Sequence, residues 1–232
     1  MSVNELRVAT SSELPEAELL REANHRISNH LSLLAGMVHV QAVAVERGPA
    51  QLGRDRVQSL LRETAGKIIA IGHLHRRLAL QPNVTVVNLG DYLLEACTTL
   101  VASLGLEKHV SLVQTLTANC HVTPEQAQQI GLMVNEIILN ATKHAHPTGI
   151  PVQIGVVCRK AEDGRMMVEV GDDGVGLPEG AEVTKLRGVG FRLIHALAAS
   201  LKADLRIESD SLGLNFLIAL PPGVQPIVVA AC

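Results

Sequence analysis

Between Pro15 and about Arg47 no proline interrupts the chain, and Leu20, Ile27, Leu31, Leu34, Val38 and Val45 recur at spacings of three, four and seven. That is the period of one long amphipathic helix. Beyond Gly48-Pro49, the positions Val57, Leu61, Thr64, Ile68, Ile71, His75 and Leu78 alternate steps of four and three, which reads as a heptad seam. Two long helices with a short connection predict an antiparallel hairpin. Its apolar stripes are too wide to be buried by the hairpin alone, so pairing with a second copy as a four-helix bundle is the economical solution. The alternative is packing onto the rest of the same chain.

Past Gln81-Pro82-Asn83 the pattern turns from purely helical to mixed, and a new domain is expected from residue 84. Asn88 is placed to cap a helix Leu89 to Leu104 that ends at Gly105, and Pro124 opens a second helix to about Ala145. Strands are expected at Val110–Leu116, Val152–Arg159 and Met166–Gly171, the last two joined through Asp163-Gly164. A Gly-rich loop over Gly171–Gly190, a helix Phe191–Leu201 and a hairpin of Leu205–Ser209 with Asn215–Leu220 complete the pattern. The fold class is therefore α+β: a helical hairpin in residues 1–83, followed in 84–232 by helices segregated from an antiparallel or mixed sheet.

Composition narrows the function. In 232 residues, 20 Lys+Arg face 23 Asp+Glu, and the aromatics are only Tyr92, Phe191 and Phe216. Neither a polyanion-binding surface nor a base-stacking platform is indicated, so no nucleic-acid partner is expected. Cys97, Cys120, Cys158 and Cys232 form no CxxC pair, which argues against zinc and disulfide frameworks and fits a reducing, cytoplasmic setting. No uninterrupted apolar run of about 18 residues occurs, so no membrane insertion is expected. Pro221, Pro222 and Pro226 break the apolar tail, which reads as a last strand and a loose end.

Three segments carry candidate chemistry. In N-E-I-I-L-N-A-T-K-H-A, residues three and four apart place Glu136, Asn140, Lys143 and His144 on one helix face. A carboxylate, an amide and an ammonium there can hold a divalent cation and the phosphates it bridges, or be an ordinary solvated face. In V-E-V-G-D-D-G-V-G-L-P a strand ends in a turn whose Gly174 and Gly176 permit close approach by a ligand. Asp172 would accept a hydrogen bond there, for which an exocyclic adenine amino group is a suitable donor. In L-R-G-V-G-F-R-L-I-H-A-L, Gly188, Val189 and Gly190 stand just ahead of a helix, whose free N–H groups can receive phosphate oxygens. Neither glycine pair completes GxGxxG, and no GxxxxGK[ST] exists, so Rossmann and P-loop readings fail.

Together and in this order, N-E-x-x-x-N-A-x-K-H, D-D-G-V-G and G-V-G resemble the N, G1 and G2 boxes of the GHKL ATPase superfamily, over roughly residues 84 to 222. That superfamily includes gyrase, heat-shock chaperone ATPases, mismatch-repair ATPases and histidine kinases. The resemblance implies an ATP-binding α/β sandwich using ATP and Mg2+, with Asn140 as magnesium ligand and Asp172 reading adenine. Glu136 stands where the superfamily places either a metal-contacting amide or a catalytic carboxylate. The lid, Leu177 to Arg187, is short, and no clear aromatic box precedes the second glycine pair.

Upstream, L-L-R-E-A-N-H-R-I-S-N-H-L resembles the acceptor box E-x-x-H-R-x-x-N-N-L of the HWE-like branch of histidine kinases, and Asp91-Tyr92-Leu93 matches its usual linker helix. His25 lies about 140° around the helix from Leu20, off the apolar stripe, so its imidazole should face solvent. Asn29, one turn on, shares its face and can orient the ring or an incoming water. Ser28 and His30 depart from the family's usual basic residue and second Asn, and Arg26 replaces the acid that follows the acceptor in the larger histidine-kinase group. Glu136 is then the expected proton acceptor.

The resemblance implies a cytosolic kinase that autophosphorylates His25 from MgATP and passes the phosphoryl group to the receiver domain of a separate response regulator. A homodimer through the hairpin is expected. A phosphotransfer adaptor with little ATP use and an anti-sigma-type serine kinase are the rival readings. Some seventeen residues precede the first helix, so input is expected from a partner, unless the chain is a fragment.

Overall fold

The computed structural model describes residues 51–79, 86–146, 149–178 and 188–222, together with nine helical positions between 32 and 46. His25 and Asn29, residues 179–187 of the lid, the tail beyond 222 and the expected domain boundary at 83–84 lie outside the described residues. The nine positions, Val38 and Val45 among them, fall within the first predicted helix.

Helix α1 (Arg54–Ala79) is the second arm of the predicted hairpin. Strand β1 (Val87–Asn88) leads directly into α2 (Leu89–Ser103), which Asn88 caps by accepting from Gly90 N–H at 2.9 Å. Asn88 satisfies a first-turn donor that the helix itself leaves unpaired. Gly105, at φ 63°, follows the end of α2 and permits the reversal toward β2 (Val110–Leu116). Strand β3 (His121–Val122) pairs antiparallel with β1. Helix α3 (Pro124–His144) opens with a capping box, in which Thr123 Oγ1 accepts from Gln126 N–H at 3.2 Å and Gln126 Oε1 accepts from Thr123 N–H at 3.0 Å. The order continues with β4 (Val152–Lys160), β5 (Met166–Asp172), α4 (Val189–Ser200), β6 (Asp204–Asp210) and β7 (Gly213–Leu220).

Five strands form one sheet in the order β2-β4-β5-β7-β6. The pair β2·β4 is parallel, and β4·β5, β5·β7 and β6·β7 are antiparallel. Alternation fixes the register. Val152, Ile154, Val156 and Cys158 of β4, Val168 and Val170 of β5, and Phe216, Ile218 and Leu220 of β7 are buried. These side chains meet Leu89, Leu93 and Leu100 of α2, Met133, Ile137 and Ile138 of α3, and Ile194 of α4 in one core. The result is the expected two-layer sandwich. Helix α3 is its most buried helix, and Tyr92 of α2 lies so close over Gly131 that a Cβ there would stand 2.6 Å from the phenol oxygen.

Helix α1 shows two faces. Gly66 sits against the sandwich, where a Cβ would meet Leu100 of α2 and its C-capping Leu104, each at 3.3 Å, and Leu139 of α3 at 3.6 Å. Val57, Leu61 and Ile68 of the heptad seam remain exposed, Leu61 by 66%. The intrachain packing weighed as an alternative therefore coexists with an uncovered seam. Cys97, Cys120 and Cys158 are free and buried, and burial pushes the Cys97 thiol up to about 12. Among the described residues no helix is long and apolar enough to cross a membrane.

Candidate nucleotide site

The end of β5, the end of α3 and the start of α4 converge on a cavity of about 380 Å³. That lies within the usual range of small-molecule sites, about 300–1,000 Å³. Ile137, Asn140, His144, Asp172, Phe191 and Phe216 are among its walls.

The Asp-Asp-Gly-Val-Gly loop is held on three sides. Gly174 N–H donates to Asp172 Oδ1 at 2.9 Å, Val175 N–H to Ala145 O at 3.0 Å, and Leu177 N–H to Ser209 Oγ at 2.8 Å. Gly174 lies against Ala145, where a Cβ would come within 2.6 Å of the alanine methyl. Gly176, at φ 65°, leaves no room for a Cβ beside the Asp210 carbonyl and Ser209. Both glycines are needed for the loop to lie down against its neighbours.

Asp172 is half-buried at the cavity wall. Burial raises its pKa, while hydrogen bonds from Gly174 and Leu214 N–H pull it back; the net direction is up. A hydrogen-bond donor on a bound molecule would stabilise its charged form. Asp173 points elsewhere: its Oδ1 lies 3.0 Å from His146 Nε2 and accepts from Gln153 N–H at 2.9 Å. Burial works to raise the pKa of Asp173, but these two contacts outweigh it and hold the carboxylate below its ordinary value.

On α3, Glu136 is 4% exposed and Asn140 half-buried, both beneath the first turn of α4. A Cβ on Gly190 would stand 2.9 Å from Glu136 Oε2 and 3.3 Å from Asn140 Nδ2. Among the described residues Asn140 Nδ2 is buried without a hydrogen-bond partner, a state that costs about 1–3 kcal/mol unless a ligand relieves it. Gly188 caps α4 with no side-chain hydrogen bond, so the N–H groups of that first turn have neither a cap nor an intrahelical acceptor.

A magnesium ion fits this donor set. Glu136 and Asn140 offer hard oxygens, the donor type that magnesium takes from one or two side chains.

The structure brings together Glu136, Asn140, His144, Asp172, Gly174, Gly176, Gly188 and Gly190, with Val189 on the opening turn of α4. Lys143 is not among the walls of this cavity. It lines a second cavity, toward α1. Each four-residue step along α3 advances the direction by about 40°, carrying Asn140 and His144 toward the nucleotide cavity, whereas the three-residue step to Lys143 falls back by about 60° toward Leu139 and His146. Phe191 and Phe216, whose ring centroids lie 5.9 Å apart, were not singled out from the sequence. Their signal was scarcity: two of the chain's three aromatics meet at one cavity.

Comparison with known proteins agrees with this geometry. Residues 22–104 match the family model described as histidine kinase, and residues 105–212 that described as histidine kinase-like ATPase domain. The chain carries both of these domain matches, which together span residues 22–212. Blue-light-activated histidine kinase 2 of Erythrobacter litoralis is 28% identical over 218 residues, covering 91% of this chain and 59% of that protein. Sensor histidine kinase PdtaS of Mycobacterium tuberculosis is 24% identical over 224 residues, covering 95% of this chain and 43% of that protein. The chain spans only about half the length of these relatives. Among solved structures, the histidine kinase domain of the Erythrobacter litoralis EL346 blue-light activated histidine kinase shares the fold, with a TM-score of 0.63 at 22% identity over 88% of this chain and 91% of that one. The first family match continues through α2, beyond the domain boundary expected at residue 84.

Proposed function

We propose that this chain is an ATP-dependent protein-histidine kinase that moves the terminal phosphoryl group of ATP to His25 and then to an aspartate of a separate response-regulator receiver domain. The observation that carries the reading is the packing of Glu136 and Asn140 against Gly190, with Asn140 and Asp172 lining one cavity.

Asp172 accepts the adenine amino group, and the N–H groups of the first turn of α4 receive phosphate oxygens. Asn140 and Glu136 hold a magnesium ion, which when bound neutralises charge on those oxygens. His25 attacks as neutral imidazole, the major form of an ordinary histidine near pH 7. Asn29 orients the imidazole, and Glu136 takes up the proton that the ring loses. Since phosphoryl transfer has a loose transition state, the protein contributes mainly alignment and electrostatics. The exposed seam Val57, Leu61 and Ile68 supports a homodimer built through the helical hairpin.

Asp172→Asn tests the nucleotide reading. Calorimetry should show ATP affinity lost by at least tenfold while the melting transition persists, because Asp172 lies at a cavity wall and not in the core. Unchanged affinity would remove Asp172 from the adenine site.

A further inference from the structure

Asp172 and Asp173 are consecutive, and the alternation of an extended chain sends them to opposite sides: Asp172 lines the nucleotide cavity, and Asp173 turns away from it. Asp173 is fastened from two elements. Its N–H donates to Gln153 O at 3.2 Å, and its Oδ1 accepts from Gln153 N–H at 2.9 Å and from His146 Nε2 at 3.0 Å. An ionised carboxylate has no proton to give, so Nε2 is the donor. His146 is itself held, because its carbonyl accepts from Gly149 N–H at 3.0 Å. The preceding residue, Ala145, is the C-cap of α3, and its carbonyl accepts from Val175 N–H at 3.0 Å. Two neighbours at the end of α3 thus grip the loop on either side of Gly174, Ala145 through its main chain and His146 through its ring. The His146 side chain is 18% exposed and that of Asp173 48%. A pair this open contributes little to folding; what it does is fix where the loop lies.

We propose that His146 is a positioning residue for selection of the nucleobase: its hydrogen bond to Asp173 sets the direction in which Asp172 presents its carboxylate to the exocyclic amino group of adenine. The inference rests on the reading of Asp172 as the adenine acceptor. Asp172 Oδ1 already accepts from Gly174 N–H at 2.9 Å, so the aim of the carboxylate follows the backbone of residues 172–174. Hydrogen bonds weaken steeply as their angle closes. A small rotation of that backbone therefore costs recognition of the amino group and leaves the phosphate end, on α4, as it was. Charge acts in the same sense. Burial is the main cause of the raised Asp172 pKa; the negative charge of Asp173 adds to it, and His146 opposes it. His146 thus also favours the ionised, acceptor-only form of Asp172.

The test compares ATP with inosine triphosphate, whose base carries an oxygen in place of the amino group, by calorimetry on the full chain and on His146→Leu and His146→Gln. Leucine removes the donor, whereas the amide nitrogen of glutamine can stand where Nε2 does and keep it. His146→Leu should weaken ATP binding by about fivefold or more and leave inosine triphosphate within about twofold of the parent, so that the preference for ATP falls. His146→Gln should keep the ATP affinity within about twofold. Retained binding of inosine triphosphate shows that the leucine variant is folded. An unchanged ATP affinity in His146→Leu would overturn the proposal. So would equal weakening of both nucleotides, the mark of a merely structural role, or failure of glutamine to restore ATP binding. A parent with no preference for ATP over inosine triphosphate would contradict the adenine reading of Asp172 itself, and this inference would fall with it.

Discussion

Gly190 rests on Glu136: the α-carbon of the first turn of α4 approaches the carboxylate of α3 so closely that a methyl group at that position would stand 2.9 Å from Oε2. Real Cβ atoms essentially never sit at that distance, so adding one must displace either the helix start or the carboxylate. Both belong to the proposed phosphate end of the nucleotide site.

Gly190→Ala should therefore weaken ATP binding by about tenfold, ~1.4 kcal/mol, which lies within the usual cost of overpacking. Gly188→Ala is the matched control. Among the described residues a Cβ there meets only Phe191, at an ordinary 3.7 Å, and the backbone is at φ −61°. Its affinity should stay within about twofold of the parent. Isothermal titration of both variants distinguishes crowding of Glu136 from a general intolerance of side chains in this glycine pair.

The regular elements were legible because their periods were strong. The strand Val110–Leu116 has the expected bounds, and the expected starts of the helices at Leu89 and Pro124 coincide with Asn88 and Thr123 acting as caps. Strands β1 and β3 were not foreseen, since two-residue strands carry no period and are held together only by their mutual pairing. The contact of α1 with the sandwich was hidden for a different reason. It is made through Gly66, and a glycine in a heptad pattern leaves no hydrophobic mark. The candidate site was legible where chemistry and spacing coincided, at Glu136, Asn140, Asp172 and the glycine pairs. Lys143 shows the limit of face arguments on a single helix, because two cavities flank α3 and spacing alone did not assign the side chain between them.

The exposed seam of α1 makes a prediction about assembly. Leu61→Lys places a charge where 66% of the side chain is already open, so folding of a single chain should change by no more than about 0.5 kcal/mol. In a paired hairpin the same charge would be buried at the seam. Sedimentation velocity should show the parent as a dimer and the variant as a monomer, with ATP affinity the same in both. A dimeric variant would place the subunit contact elsewhere.

Asp173 predicts an acid limb in stability. Its carboxylate is held below the ordinary value of 3.8, with burial overcome by the Gln153 N–H and His146 contacts. A depressed folded-state value stabilises the protein above the unfolded-state value, and that contribution is lost as pH falls through the folded-state one. Asp173 is about half exposed, so its contribution is small, about 1 kcal/mol or less. Asp173→Asn should be the less stable protein at pH 6, with the difference closing below pH 3.8 in urea titrations across the range.

In the proposed function the cavity of the C-terminal half serves an imidazole in the N-terminal half. Incubating the purified chain with γ-labelled ATP and magnesium should give label that is stable in base, labile in acid and absent from His25→Gln. Label that persists in His25→Gln, or that withstands acid as a serine ester does, would contradict it.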